Sequence, residues 1–88
     1  MANVHIVERL NILADQLEKG EITLRQFAEQ VPGHTTALEK LSYSQIKEAQ
    51  LATVELSRAA DLYDQGTAVN SIEAVEWLRS WLTNIPLE

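Results

Sequence analysis

Between residues 3 and 19 the apolar side chains of Val7, Leu10, Leu13, Ala14 and Leu17 recur at steps of three and four, the spacing of one stripe along an α-helix. Gly20 ends that stripe. Thr23 then stands three residues before Gln26, with Ile22 and Phe27 at the flanking positions, which predicts a capping box with a hydrophobic staple. About three residues separate the two patterns, so the helices fold back on one another as a hairpin. The second stripe, Leu24, Phe27, Ala28 and Val31, runs into Pro32-Gly33, where a helix is expected to stop. A short helix is expected next, from Thr36, boxed with Glu39, through Leu38 and Leu41.

Ser42 and Gln45 repeat the capping-box spacing, with Leu41 and Ile46 as the staple, and open the longest helix. Ile46, Ala49, Thr53, Leu56, Ala60 and Tyr63 form its stripe, and Leu51, Val54 and Leu62 widen it. An apolar arc that wide predicts a central helix. Gly66 occupies the C′ position that ends it. The last helix begins at Asn70 or Ser71, with Asn70 and Glu73 again at cap-box spacing, and reaches about Asn84 before Pro86. Ile72, Val75, Leu78, Leu82 and Ile85 make its inner stripe, and Trp77 and Trp81 either widen that stripe or stand at its edge. No strand-like alternation and no internal repeat occur. The expected fold is all-α: a compact antiparallel bundle of four main helices plus one short helix, in a single domain covering residues 1–88.

Composition supports a folded chain. With 45% hydrophobic and 23% charged residues, it lies far from the compositions that stay disordered. A chain of 88 residues buries roughly 60 to 65% of its unfolded surface, which leaves little room for an interior catalytic cavity. The absence of cysteine excludes a disulfide scaffold, a thiolate metal site and a cysteine nucleophile. The start lacks a basic segment followed by an apolar run, and no stretch of eighteen apolar residues occurs, so a cytoplasmic protein without a membrane span is expected.

No chemistry-bearing motif emerges. His5 and His34 are assigned no metal-ligand spacing and are read as surface residues. Gly66 follows Asp64 too closely for a calcium loop. There is no G-x-S-x-G elbow and no glycine-rich phosphate loop. The expectation is a protein that is not an enzyme and uses neither cofactor nor metal.

Charge is more informative. Thirteen acids against seven bases give a net charge of −6, which repels nucleic-acid phosphates and favours a basic protein partner. Glu55, Asp61, Asp64, Glu73 and Glu76 gather near Tyr63 and Trp77, with Arg58 as the compensating base nearby. These seven acidic and aromatic residues are the candidate partner-binding set. Asp61 and Asp64 fall in a last helical turn, where negative charge opposes the macrodipole, a local cost that hints at use elsewhere. Glu73 has a capping role available, and Glu76 has Arg79 at i,i+3. A solvated surface that aids solubility is the alternative for the whole stretch. An exposed Trp77/Trp81 edge leaves a homodimer open.

Two resemblances add to this. Ala28, Val31, Leu38 and Leu41, within residues 23–41, resemble the framework of the Xre/Cro-type helix-turn-helix, which implies a transcriptional regulator. Pro32-Gly33 departs from that family's turn, and the segment corresponding to its recognition helix offers His34 and Lys40 but no arginine. The early element Leu17, Gly20, Ile22, Thr23 and Phe27, with the small size, helix count and acidity, resembles the bacteriocin immunity proteins of the colicin D type. That resemblance implies a helical bundle whose acidic face blocks the RNA-binding cleft of a basic nuclease toxin. A phage-type inhibitor of a bacterial nuclease complex has the same physical requirements.

Overall fold

The computed structural model describes residues 3–87; residues 1, 2 and 88, at the ends of the predicted domain, lie outside them. Its four helices are α1 (Val4–Glu18), α2 (Leu24–Thr35), α3 (Tyr43–Asp64) and α4 (Ser71–Leu82), and the described residues contain no strand. The fold is the expected all-α bundle.

Local signals set most boundaries. Gly20 and Gly66, at φ +75° and +88°, each close a Schellman motif. After α1, the Gly20 and Glu21 N–H groups donate to the Leu17 and Gln16 carbonyls; after α3, those of Gly66 and Thr67 donate to Tyr63 and Leu62. Both predicted capping boxes form with reciprocal bonds, Thr23 with Gln26 and Ser42 with Gln45. Asn70 caps α4 differently. Its side chain accepts from the Ile72 N–H at 3.0 Å, and Glu73 completes no box.

Helix α2 passes through Pro32-Gly33 instead of stopping. A proline there removes one ladder bond, at a cost of about 3 kcal/mol in a helix interior. Packing overrides the signal, because Val31 and Thr35 on the same face are buried at 2% and 6% exposure. The Thr35 and Thr36 hydroxyls donate to the Pro32 and Gly33 carbonyls, satisfying acceptors at the helix end. Thr36 therefore closes α2, and the short helix expected over Thr36–Leu41 is absent. Residues 36–42 are turn and extended loop, from which Leu38 still plugs the core.

That loop is fastened from a distance. The Asn3 side chain, 1% exposed, donates to the Glu39 and Pro86 carbonyls at 2.8 and 2.7 Å and accepts from the Glu39 N–H at 2.9 Å. One amide joins the beginning, the middle and the end of the chain. The adjacent Lys40 takes a left-handed φ of +63°, a strained conformation for a non-glycine residue.

The packing order differs from expectation. α3 lies along α2, α2 along α1, and α1 along α4, so the longest helix is peripheral. It buries only Ala49, Leu56 and Ala60. Ile46, Leu51, Val54, Leu62 and Tyr63 stay exposed, since one neighbouring helix covers only one stripe. The core is built from Leu10, Leu13, Phe27, Val31, Val75 and Leu78 with the residues around them. α4 ends at Leu82, two residues before Asn84, and its predicted stripe loses Ile72 to solvent while gaining Trp81.

Candidate functional site

Where α3 runs past α4 the two helices diverge, and a groove of about 420 Å³ opens between them. Glu48, Leu51, Ala52, Glu55, Leu56 and Ala59 line the α3 wall; Val69 to Ser71, Glu73, Ala74 and Trp77 line the other; Leu24 closes the floor. The α3 residues recur at steps of three and one, two adjacent stripes on one face of a helix. Alanine at 52, 59 and 74 leaves the space between the walls unfilled.

The narrow end is held shut by specific bonds. Trp81 Nε1 donates to the Gln45 carbonyl at 3.3 Å, and Gln45 Nε2 donates to the Asn84 carbonyl at 2.9 Å. Trp77 stacks on Trp81 with ring centroids 5.7 Å apart and planes at 21°. Trp81 is buried and Trp77 half-buried, so the two expectations for this pair divide between its members. One tryptophan joins the core, and the other forms the end wall of the groove.

The electrostatics of the acidic set depend on where the arginines reach. Arg25, at the start of α2, donates through Nη2 to Asp61 and through Nε and Nη2 to Asp64, the latter at 3.1 and 2.9 Å. The hydrogen bonds to Asp61 and then Asp64 hold the guanidinium above its ordinary pKa. The two carboxylates that oppose the α3 dipole are thus matched by a base from a neighbouring helix, 36 and 39 positions away in sequence. Arg58, the base expected to compensate them, makes no ion pair among the described residues.

Arg79 is likewise committed elsewhere. It bonds to Asp15 and Glu18 of α1, not to Glu76. The Arg79 hydrogen bond lowers the Asp15 pKa, and the same bond raises that of Arg79. Two arginines therefore hold four carboxylates and at the same time lace α3 to α2 and α4 to α1.

Glu48, Glu55 and Glu73 are exposed around the groove and take part in no ion pair among the described residues. No Lys, Arg or His lines the groove. Of the candidate set, the structure brings Glu55, Glu73 and Trp77 together there. Asp61 and Asp64 sit on Arg25, Tyr63 is 55% exposed near the end of α3, and Glu76 is exposed off the groove. Glu48, Leu51, Ala52 and Ala74 were not in that set. For Leu51 the signal was the excess width of the α3 apolar arc, more than one neighbour can cover; Glu48, Ala52 and Ala74 carried none.

The described residues hold no cluster of three His, Cys, Asp or Glu side chains suited to a metal. His5, assigned no partner from the sequence, does have one at i,i+3: Glu8, 3.5 Å away with both side chains exposed. A lone exposed pair is a surface contact. No helix of the described residues is long and apolar enough to cross a membrane. Compared with protein families, with curated proteins and with solved structures, the chain matches none.

Proposed function

We propose that this chain is a binding protein that captures a basic partner protein and inhibits it, in the manner of an immunity protein occluding the nucleic-acid cleft of a nuclease toxin. The observation that supports this is the distribution of counter-ions. Arg25 and Arg79 absorb Asp61, Asp64, Asp15 and Glu18, while Glu48, Glu55 and Glu73 around the apolar groove make no ion pair among the described residues and no base lines it. A nuclease needs a basic cleft to hold RNA or DNA. An acidic, partly apolar surface meets such a cleft with attraction at long range and burial at contact, which raises the association rate and slows release. Trp77 at the groove edge is the kind of half-buried aromatic that anchors interfaces.

A phage-type inhibitor of a nuclease complex would use the same surface. A helix-turn-helix regulator has less support, because residues 36–41, most of the segment where its recognition helix would lie, are turn and extended loop.

The test is capture from native lysate on immobilised protein at low and high salt, followed by a nuclease assay on whatever is retained. The expected result is a basic protein held at low salt whose nuclease activity falls on stoichiometric addition of this chain. Retention of duplex DNA without a protein partner would favour the regulator.

A further inference from the structure

The groove between α3 and α4 has a length, a lining and a charge that together select one kind of occupant. We infer that it takes a short basic amphipathic helix supplied by the partner. This rests on the partner being basic, as proposed above, and specifies which part of it docks.

Length comes first. The α3 wall runs from Glu48 to Ala59, about 17 Å at the helical rise, so it matches an occupant of roughly three turns. The lining selects helix over extended chain. The α3 wall and the Ser71–Trp77 part of the facing wall are helical, with Val69 and Asn70 in the loop that leads into α4, and the groove between them is lined mainly by Leu24, Leu51, Ala52, Leu56, Ala59 and Ala74. An extended peptide would bring unpaired N–H and C=O groups onto that surface, whereas a helix brings its own satisfied. Val54, 56% exposed and three residues after the groove-lining Leu51, extends the apolar surface of α3 beyond the groove lip.

Charge selects the flanks. Glu48 and Glu55 stand on one wall and Glu73 on the other, so the complementary helix carries Lys or Arg on both sides of its apolar stripe. A second copy of this chain is a poor occupant. Its net charge is also −6, and none of its helices holds more than two Lys or Arg.

The experiment titrates ¹⁵N-labelled protein with a blocked peptide of about 14 residues, Leu at i, i+3, i+4 and i+7 and Lys on both flanks. Two controls accompany it: the same stripe flanked by Glu, and a scramble without a stripe. Saturable shifts are expected at Leu51, Ala52, Glu55, Ala74 and the Trp77 indole, with affinity at least about tenfold above either control and falling with salt. Ala52→Arg/Ala74→Arg, which fills the groove, should abolish the shifts. Glu48→Gln/Glu55→Gln/Glu73→Gln, at exposed positions that leave the core untouched, should weaken them.

Equal binding of the scramble, shifts centred on Asp61 and Asp64, closure of the groove by a second copy in sedimentation, or no shift at about 1 mM peptide would each overturn the inference. The two proposals fail separately. If Ala52→Arg/Ala74→Arg, folded by circular dichroism, still captures the basic partner, the groove is wrong and the inhibitor stands. If the peptide seats in the groove while no basic protein is captured from lysate, the groove stands and the inhibitor falls.

Discussion

The two ends of α3 carry comparable acidity and end in different states. At the C-terminal end, Asp61 and Asp64 share Arg25. Along the earlier turns, Glu48 and Glu55 face Glu73 across an apolar groove with no base in its lining. In sequence the first group is the more conspicuous, because it opposes the helix dipole. In space it is the one already matched within the chain. A count of carboxylates along a sequence thus says little about where a basic partner docks; what matters is which carboxylates the fold leaves without a counter-ion. On α1, likewise, Asp15 and Glu18 are committed to Arg79.

Four substitutions or titrations break or sharpen that contrast. The largest effect is expected from Glu48→Gln/Glu55→Gln/Glu73→Gln, which should slow association of the basic partner on the order of 10- to 100-fold at low ionic strength. Thermal stability should change little, since no ion pair is lost and Glu73, in the first turn of α4, gives up only a small favourable interaction with the helix dipole. Stopped-flow mixing and a melting curve read the two halves.

Next comes Leu51→Ala. Its side chain is 60% exposed in the free protein, so folding should be indifferent. Dissociation should quicken by about tenfold if that surface is covered in the complex. Surface plasmon resonance measures it.

Arg25→Gln inverts the comparison by leaving Asp61 and Asp64 without their base. A lower melting temperature is expected, with partner capture at the wild-type level. An exposed ion pair contributes little by itself, but this one joins α2 to α3.

The smallest effect is a pH dependence. The folded-state pKa of Asp15 is lowered by Arg79, so folding favours the ionised carboxylate. That contribution is complete above the unfolded-state value near 4 and fades as pH falls through the lower folded-state value. Urea unfolding between about pH 7 and about pH 3 should therefore show a shallower acid loss for Asp15→Asn than for the wild type.

Much of the fold was legible because it is encoded locally. Gly20, Gly66 and the Thr23–Gln26 and Ser42–Gln45 boxes act within six residues of chain, and each sits where its spacing predicted. Local signals failed where distant packing outweighed them. Pro32 reads as a stop, but burial of Val31 and Thr35 carries α2 past it. The apolar width of α3 reads as centrality, although the same pattern also describes a helix whose second stripe borders an open groove. The candidate site was only half legible for the same reason. Glu55, Glu73 and Trp77 could be picked out from charge and aromaticity, but the partners that decide which acids are free, Arg25 with Asp61 and Arg79 with Asp15, are 36 and 64 positions apart. Nothing in a linear pattern pairs them.

The most direct test places the two acidic regions side by side. Immobilised Glu48→Gln/Glu55→Gln/Glu73→Gln and Asp61→Asn/Asp64→Asn proteins, both verified as folded, are exposed to the same native lysate at low salt, and the basic protein retained on each is quantified. Loss of retention on the groove variant with wild-type retention on the other is the predicted result. The reverse pattern would contradict the account, because it would make the carboxylates held by Arg25 the docking surface and the groove a bystander.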